Sequence, residues 1–117
     1  GSLFSNLHCK QLHFSVARKL EFARGIITGM AYVHDQRVLH RDLSSRNILL
    51  TADWQIKITD WGCARQVAGD EYHSSTISGS PTYMAPEQLA GDALTFKIDV
   101  WALGCVLWEM LMERTPW

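Results

Sequence analysis

His40-Arg41-Asp42-Leu43-Ser44-Ser45-Arg46-Asn47 is the stretch on which the reading of this chain turns. It is a short polar loop, and the one dense cationic patch of the sequence (Arg37, His40, Arg41, Arg46) gathers around it. Taken alone, Asp42 and Asn47 suit a turn, where Asp and Asn side chains hydrogen-bond their own backbone. Taken with their surroundings they suit chemistry, because a carboxylate held in a short rigid loop can accept a proton.

Upstream of the loop, Val16, Leu20, Ala23, Ile27, Met30 and Ala31 recur at three and four residues. That spacing predicts an amphipathic helix. Ser15 is suited to cap it, since its hydroxyl can satisfy a free amide of the first turn. The helix is expected to end near His34–Asp35, and Gly25 and Gly29 to admit close packing by another element. Before it, Leu3, Phe4 and Leu7 suggest a short helical segment. Downstream, the apolar runs 48–50 and 56–58 flank a polar connection and read as a small hairpin. Residues 63–82 are rich in Ser, Gly, Thr and Asp and read as a long surface loop, of a length usually kept for function. Residues 97–112 form a second helical stretch, apolar on nearly all sides and therefore expected at the centre of its domain.

Composition sets the frame. The 117 residues carry a formal net charge of -1 and are 47% hydrophobic. A chain this long buries roughly 65% of its unfolded surface, enough for one core. Without a basic run, nucleic acid is not expected as the main partner. The longest apolar run, Val100 to Trp108, falls short of the ~20 residues a membrane-spanning helix needs. Cys9, Cys63 and Cys105 are widely spaced and form no CxxC, which fits a reducing compartment rather than a disulfide framework or zinc site. Cys105 reads as a small buried side chain.

Three further motifs follow the loop in order. Asp60-Trp61-Gly62 lies thirteen residues after Asn47, Ala85-Pro86-Glu87 follows the long polar loop, and Asp99-Val100-Trp101-Ala102-Leu103-Gly104 opens the second helical stretch. Together with H-R-D-L-x-x-x-N these resemble the catalytic loop, D-F-G, A-P-E and central-helix signatures of protein kinases, across essentially the whole chain. The resemblance implies a mainly α fold with a small β-hairpin, the C-terminal large lobe of the protein-kinase-like α+β fold. It implies a partial domain over residues 1–117, running from just after the hinge between lobes through the central helix, with the small lobe and last helices absent.

The same resemblance implies the roles. Asp42 would take the proton of the substrate hydroxyl, and Asn47 and Asp60 would hold Mg²⁺ through oxygen ligands. Leu49 would pack under the adenine of ATP, although a plain core leucine is an equal reading. His40 would pack in a hydrophobic column with the aromatic of D-F-G, here Trp61, next to Gly62. Asp99 would anchor the loop backbone, and Ser80 would help fix the substrate segment. Glu87 would lack its usual arginine partner. Arg41, preceding the catalytic aspartate, is typical of kinases whose loop is ordered by phosphorylation, with Ser75 or Thr76 as the expected acceptor. ATP and protein substrates are the implied partners, with an upstream activating kinase allowed. The implied location is cytoplasmic, or the cytoplasmic side of a membrane protein if the full chain has a transmembrane segment.

The sequence departs from the family pattern in places. Trp61 replaces phenylalanine and must find room. Ser44 stands where many serine/threonine kinases have lysine, and Arg46 is reminiscent of tyrosine kinases. Gly79-Ser80-Pro81-Thr82-Tyr83-Met84 before Ala85 points back to serine/threonine kinases. The mixture is similar to the tyrosine-kinase-like group, whose members mostly phosphorylate serine and threonine. No glycine-rich loop and no V-A-I-K lysine occurs here, so this chain alone is expected to be inactive. A pseudokinase and a non-catalytic interaction module stand as the alternatives to an active kinase.

Overall fold

The computed structural model describes all residues, Gly1–Trp117. Three helices and two small antiparallel sheets build it: α1 Val16–Asp35, β1 Val38–Leu39, β2 Ile48–Leu50, β3 Ile56–Ile58, β4 Arg65–Gln66, the short α2 Pro86–Ala90, and α3 Lys97–Met112. A wide π-helical turn covers Ser5–Cys9, and single tight 3₁₀ turns cover Ser45–Asn47, Trp61–Cys63 and Pro81–Tyr83. The chain is mainly helical, as the sequence predicts.

Helix α1 starts as expected. The Ser15 hydroxyl accepts from the Arg18 amide at 3.2 Å, and the helix runs to Asp35. Its buried face matches the predicted stripe only in part: Met30 is buried and Ala23 packs against the core as predicted, but the rest of the face differs. Phe22, Ile26 and Met30 enter the core, whereas Val16, Leu20 and Ile27 are exposed. The helix carries two apolar stripes offset by about one residue, and periodicity alone does not choose between them. The glycines choose. A Cβ on Gly25 would lie 3.0 Å from Ile56 Cγ1, and one on Gly29 would lie 2.9 Å from Ile58 Cδ1. Strand β3 therefore crosses the helix where it has no side chains, and Phe22, Ile26 and Met30 flank that crossing.

The predicted hairpin forms, with Ile48 opposite Ile58, Leu49 opposite Lys57 and Leu50 opposite Ile56. Alternation puts Ile48 and Leu50 into the core and Leu49 outside. The main core joins Leu3 and Leu7, the inner face of α1, Leu43, Ile48 and Leu50, Tyr83, and Ala102, Val106 and Met110 of α3.

Two expectations need correction. Helix α3 is not buried all round: Ile98, Ala102, Cys105, Val106 and Met110 face inward, but Val100, Trp101, Trp108, Leu111 and Met112 are exposed. The apolar composition of α3 serves one buried face and one open face. Residues 63–82 are also less irregular than their composition suggests. Strand β4 pairs with β1 (Val38 opposite Gln66, Leu39 opposite Arg65), and Tyr72 exchanges backbone hydrogen bonds of 2.7 and 2.9 Å with Leu94. Val67 is buried with Leu39, Ala85, Leu94 and Ile98 in a second small cluster that fastens the loop. Two-residue strands carry no periodic signal, which is why composition alone misses them. No helix is long and apolar enough to cross a membrane. Cys105 is buried as expected, and burial pushes its thiol up.

Candidate active site

The loop 40–47 runs between β1 and β2 over the inner face of α3, and α3 holds it. The buried Asp99 carboxylate accepts the His40 amide at 2.8 Å, the Arg41 amide at 2.9 Å and His34 Nε2 at 2.9 Å. Three donors satisfy a charge that would otherwise be costly to bury. Arg41 needs that hold, because its φ of 72° lies in the left-handed region.

His40 is fully buried and uses both ring nitrogens. Nε2–H donates to the Thr59 carbonyl at 3.1 Å, and Nδ1 accepts the Asp42 amide at 3.2 Å, which fixes the tautomer. Its ring packs on Trp61 with centroids 4.7 Å apart. The larger Trp61 finds room at the surface, where it is 44% exposed, so it overfills no packed site.

Asp42 is half-buried and oriented from two sides. Oδ1 accepts both the amide and the hydroxyl of Ser80, each at 2.8 Å. Oδ2 accepts Asn47 Nδ2 at 3.2 Å, and the same nitrogen donates to the Asp42 carbonyl at 2.8 Å. With Nδ2 committed to Asp42, Asn47 keeps its Oδ1 free as an oxygen ligand.

The Asn47 carbonyl accepts the Thr59 amide at 2.9 Å and the Thr59 hydroxyl at 3.2 Å, tying the strand end before Asp60 to the loop. Asp60 is exposed and left-handed at φ 62°, and its carboxylate makes no protein hydrogen bond. No group of three His, Cys, Asp or Glu side chains gathers for a metal. The Asn47 Oδ1 and Asp60 carboxylate still fit Mg²⁺, which takes few protein ligands and completes its shell with phosphate and water. Gly62 lies at the surface beside Asp60, and Leu49 is exposed on β2 rather than in the core.

Arg41 faces the polar loop. Its guanidinium donates to Ser74 Oγ at 2.9 Å, Ser78 Oγ at 2.7 Å and the Thr76 carbonyl at 3.5 Å, while Nε is buried without a partner. Of the two acceptors expected from sequence, Thr76 meets Arg41 through its carbonyl alone and Ser75 makes no hydrogen bond to it. Ser44 is fully buried with its hydroxyl unpartnered, and Arg46 lies over the Phe4 ring at 3.6 Å. Glu87 is half-buried and forms no ion pair.

Sequence reading missed a second buried network. Glu109 of α3, fully buried, accepts Tyr83 Oη at 2.7 Å, Ser45 Oγ at 2.9 Å and His8 Nε2 at 2.7 Å. It joins the loop 40–47, the turn after Ser80 and the N-terminal segment. Burial pushes the Tyr83 hydroxyl far above the usual phenol range, and the Glu109 charge adds to that. The available signal was a lone carboxylate inside the apolar run Trp108-Glu109-Met110.

Comparison with known proteins finds relatives that align along nearly the whole chain. Serine/threonine-protein kinase PLK4 of Xenopus tropicalis is 41% identical over 116 residues, covering 99% of this chain and 12% of the relative. RGS domain-containing serine/threonine-protein kinase A of Dictyostelium discoideum is 38% identical over 117 residues, covering 100% of this chain and 10% of the relative. Mitogen-activated protein kinase kinase kinase 5 of Arabidopsis thaliana is 36% identical, covering 94% of this chain and 16% of the relative. The chain thus spans between a tenth and a sixth of the length of these relatives. Residues 1–117 match the family model described as protein kinase domain, and this chain belongs to the protein kinase family.

Proposed function

We propose that the protein carrying this segment transfers the γ-phosphate of ATP to serine or threonine hydroxyls of proteins. The observation that carries the reading is Asp42, a carboxylate oriented by Ser80 and Asn47 and left with an open oxygen. Oδ1 already accepts two hydrogen bonds, whereas Oδ2 accepts one long one. The substrate hydroxyl therefore approaches Oδ2. Its oxygen bonds to the γ-phosphorus, the bond from that phosphorus to the β–γ bridging oxygen breaks, and the hydroxyl proton passes to Asp42. Asn47 and Asp60 would hold Mg²⁺, which would supply charge neutralisation on the phosphates. Leu49, on the outer face of β2, offers an apolar surface to the adenine.

Serine and threonine preference is supported by the Ser80–Asp42 contacts, which place that segment against the carboxylate, and by the relatives' names. The tyrosine-kinase-like assignment rests on Ser44, Arg46 and the segment 79–87 alone. We assign regulation to phosphorylation within Ser74–Ser78. Ser75 and Thr76 remain candidates, and the hydroxyls of Ser74 and Ser78 are the ones already touching Arg41. A phosphate there would pair with the buried guanidinium.

The test is ATP-dependent transfer by the complete protein beside its Asp42→Asn variant, with the labelled amino acid identified. We expect phosphoserine or phosphothreonine, and a fall of about 10³-fold in the variant at unchanged nucleotide affinity. No transfer from the wild type with nucleotide bound would move the protein to the pseudokinase reading.

A further inference from the structure

Gln88 belongs to none of the motifs above. It stands directly after Glu87, is buried, and donates from Nε2 to the Arg41 carbonyl at 3.0 Å and to the Ser78 carbonyl at 3.1 Å. Carbonyls only accept, so both amide hydrogens are committed and the amide orientation is fixed. A flipped amide would set its oxygen against two carbonyl oxygens.

The two carbonyls sit at consequential places. Arg41 is the left-handed residue before Asp42, with its amide held by Asp99 and its carbonyl by Gln88. Ser78 is two residues before Ser80, whose amide and hydroxyl hold Asp42 Oδ1. Gly79 between them has φ +119°, and a Cβ there would lie 2.6 Å from the same Arg41 carbonyl. The backbone of the polar loop is thus seated directly on the catalytic loop, and Gln88 is the side chain that bonds to both.

We infer that Gln88 is a positioning residue for phosphoryl transfer. Its amide fixes the Ser78–Ser80 backbone to the Arg41 carbonyl and so keeps Ser80 on Asp42. The inference rests on the kinase reading above, and Gln88 itself touches no reacting atom.

Gln88→Met keeps the length and removes both donors. In the complete protein it should lower kcat by about tenfold, with KM for ATP within about twofold, as expected when a reacting group is misplaced without loss of nucleotide binding. Ser80→Ala should show a loss of similar kind, and the double variant should lose little more than either single one. Hydrogen–deuterium exchange gives a readout independent of activity. The Ser80 amide should exchange on the order of tenfold faster in Gln88→Met, while the His40 and Arg41 amides, held by Asp99, keep their protection. If Gln88→Met does not fold, Gln88→Asn, too short to reach both carbonyls, should show the same changes at smaller size. A wild type without transfer sinks the kinase reading beneath the inference. An active wild type with unchanged Ser80 exchange, or with losses that add fully in the double variant, overturns the Gln88 inference alone.

Discussion

The two stretches that carry the candidate chemistry are built in opposite ways. The loop 40–47 is largely interior: His40, Arg41, Leu43, Ser44 and Ser45 are buried, and Asp99, Glu109, Gln88 and Ser80 hold it by hydrogen bonds. Asp60-Trp61-Gly62 lies on the surface, attached through Thr59 to Asn47 and through the Trp61 ring to His40. The difference teaches a division of labour. Asp42, the proposed acceptor of the hydroxyl proton, is fixed by hydrogen bonds from Ser80 and Asn47 within the packed lobe. Asp60, the proposed cation ligand, is left open, where an uncompensated carboxylate costs little.

The sharpest way to break this comparison is through Asp99. Asp99→Ala removes the acceptor of two buried amides and of His34, and should cost about 3 kcal/mol or more of unfolding free energy in denaturant titration. A loss below about 0.5 kcal/mol, the range of an ordinary surface substitution, would show that the loop is not held by α3.

Gly29→Ala probes the support beneath the hairpin. Alanine favours a helix by up to about 1 kcal/mol, but its Cβ would meet Ile58 at 2.9 Å. Overpacking of this kind typically costs ~1–3 kcal/mol, so a net loss of about 1 kcal/mol is expected in the same titration.

Tyr83 supplies a pH dependence. Burial raises its hydroxyl above the ordinary phenol value of 10.0, so the folded state holds the proton more tightly than the unfolded chain. That contribution is fully present below pH 10.0 and is lost as pH rises toward the folded value. Denaturation midpoints should fall above that pH, and Tyr83→Phe should remove this part of the slope.

The smallest stability effect belongs to the open stretch. Asn tolerates the left-handed backbone, so Asp60→Asn should change stability by less than ~0.5 kcal/mol. Magnesium-dependent nucleotide binding by the complete protein should nevertheless drop at least about tenfold, as expected for removing a charged metal ligand. Together with Asp99→Ala it tests whether anchoring and ligation are separable.

Much of this was legible in the sequence because it depends on local identities. Ser15, the hairpin runs and Lys97–Met112 each carry their own signal, and the motif residues stand at the spacing that brought Asp42, Asn47 and Ser80 together. What stayed hidden depends on pairing across distance. Glu109 meets Ser45 and His8 from 64 and 101 residues away, and neither partner shows a pattern by itself. Gln88 looks like any surface glutamine until its two carbonyls are located. The choice between the two stripes of α1 required knowing that Ile56 and Ile58 arrive at Gly25 and Gly29.

The surface position of Trp61 is shared by every tryptophan of the chain. Trp54, Trp61, Trp101, Trp108 and Trp117 are all at least 37% exposed. None of these indoles lies in the core, so the red-shift of their emission on denaturation should be modest, and the helical ellipticity of α1 and α3 is the better signal of unfolding. Trp61 adjoins Asp60, so its emission is placed to report events at that carboxylate rather than the integrity of the core.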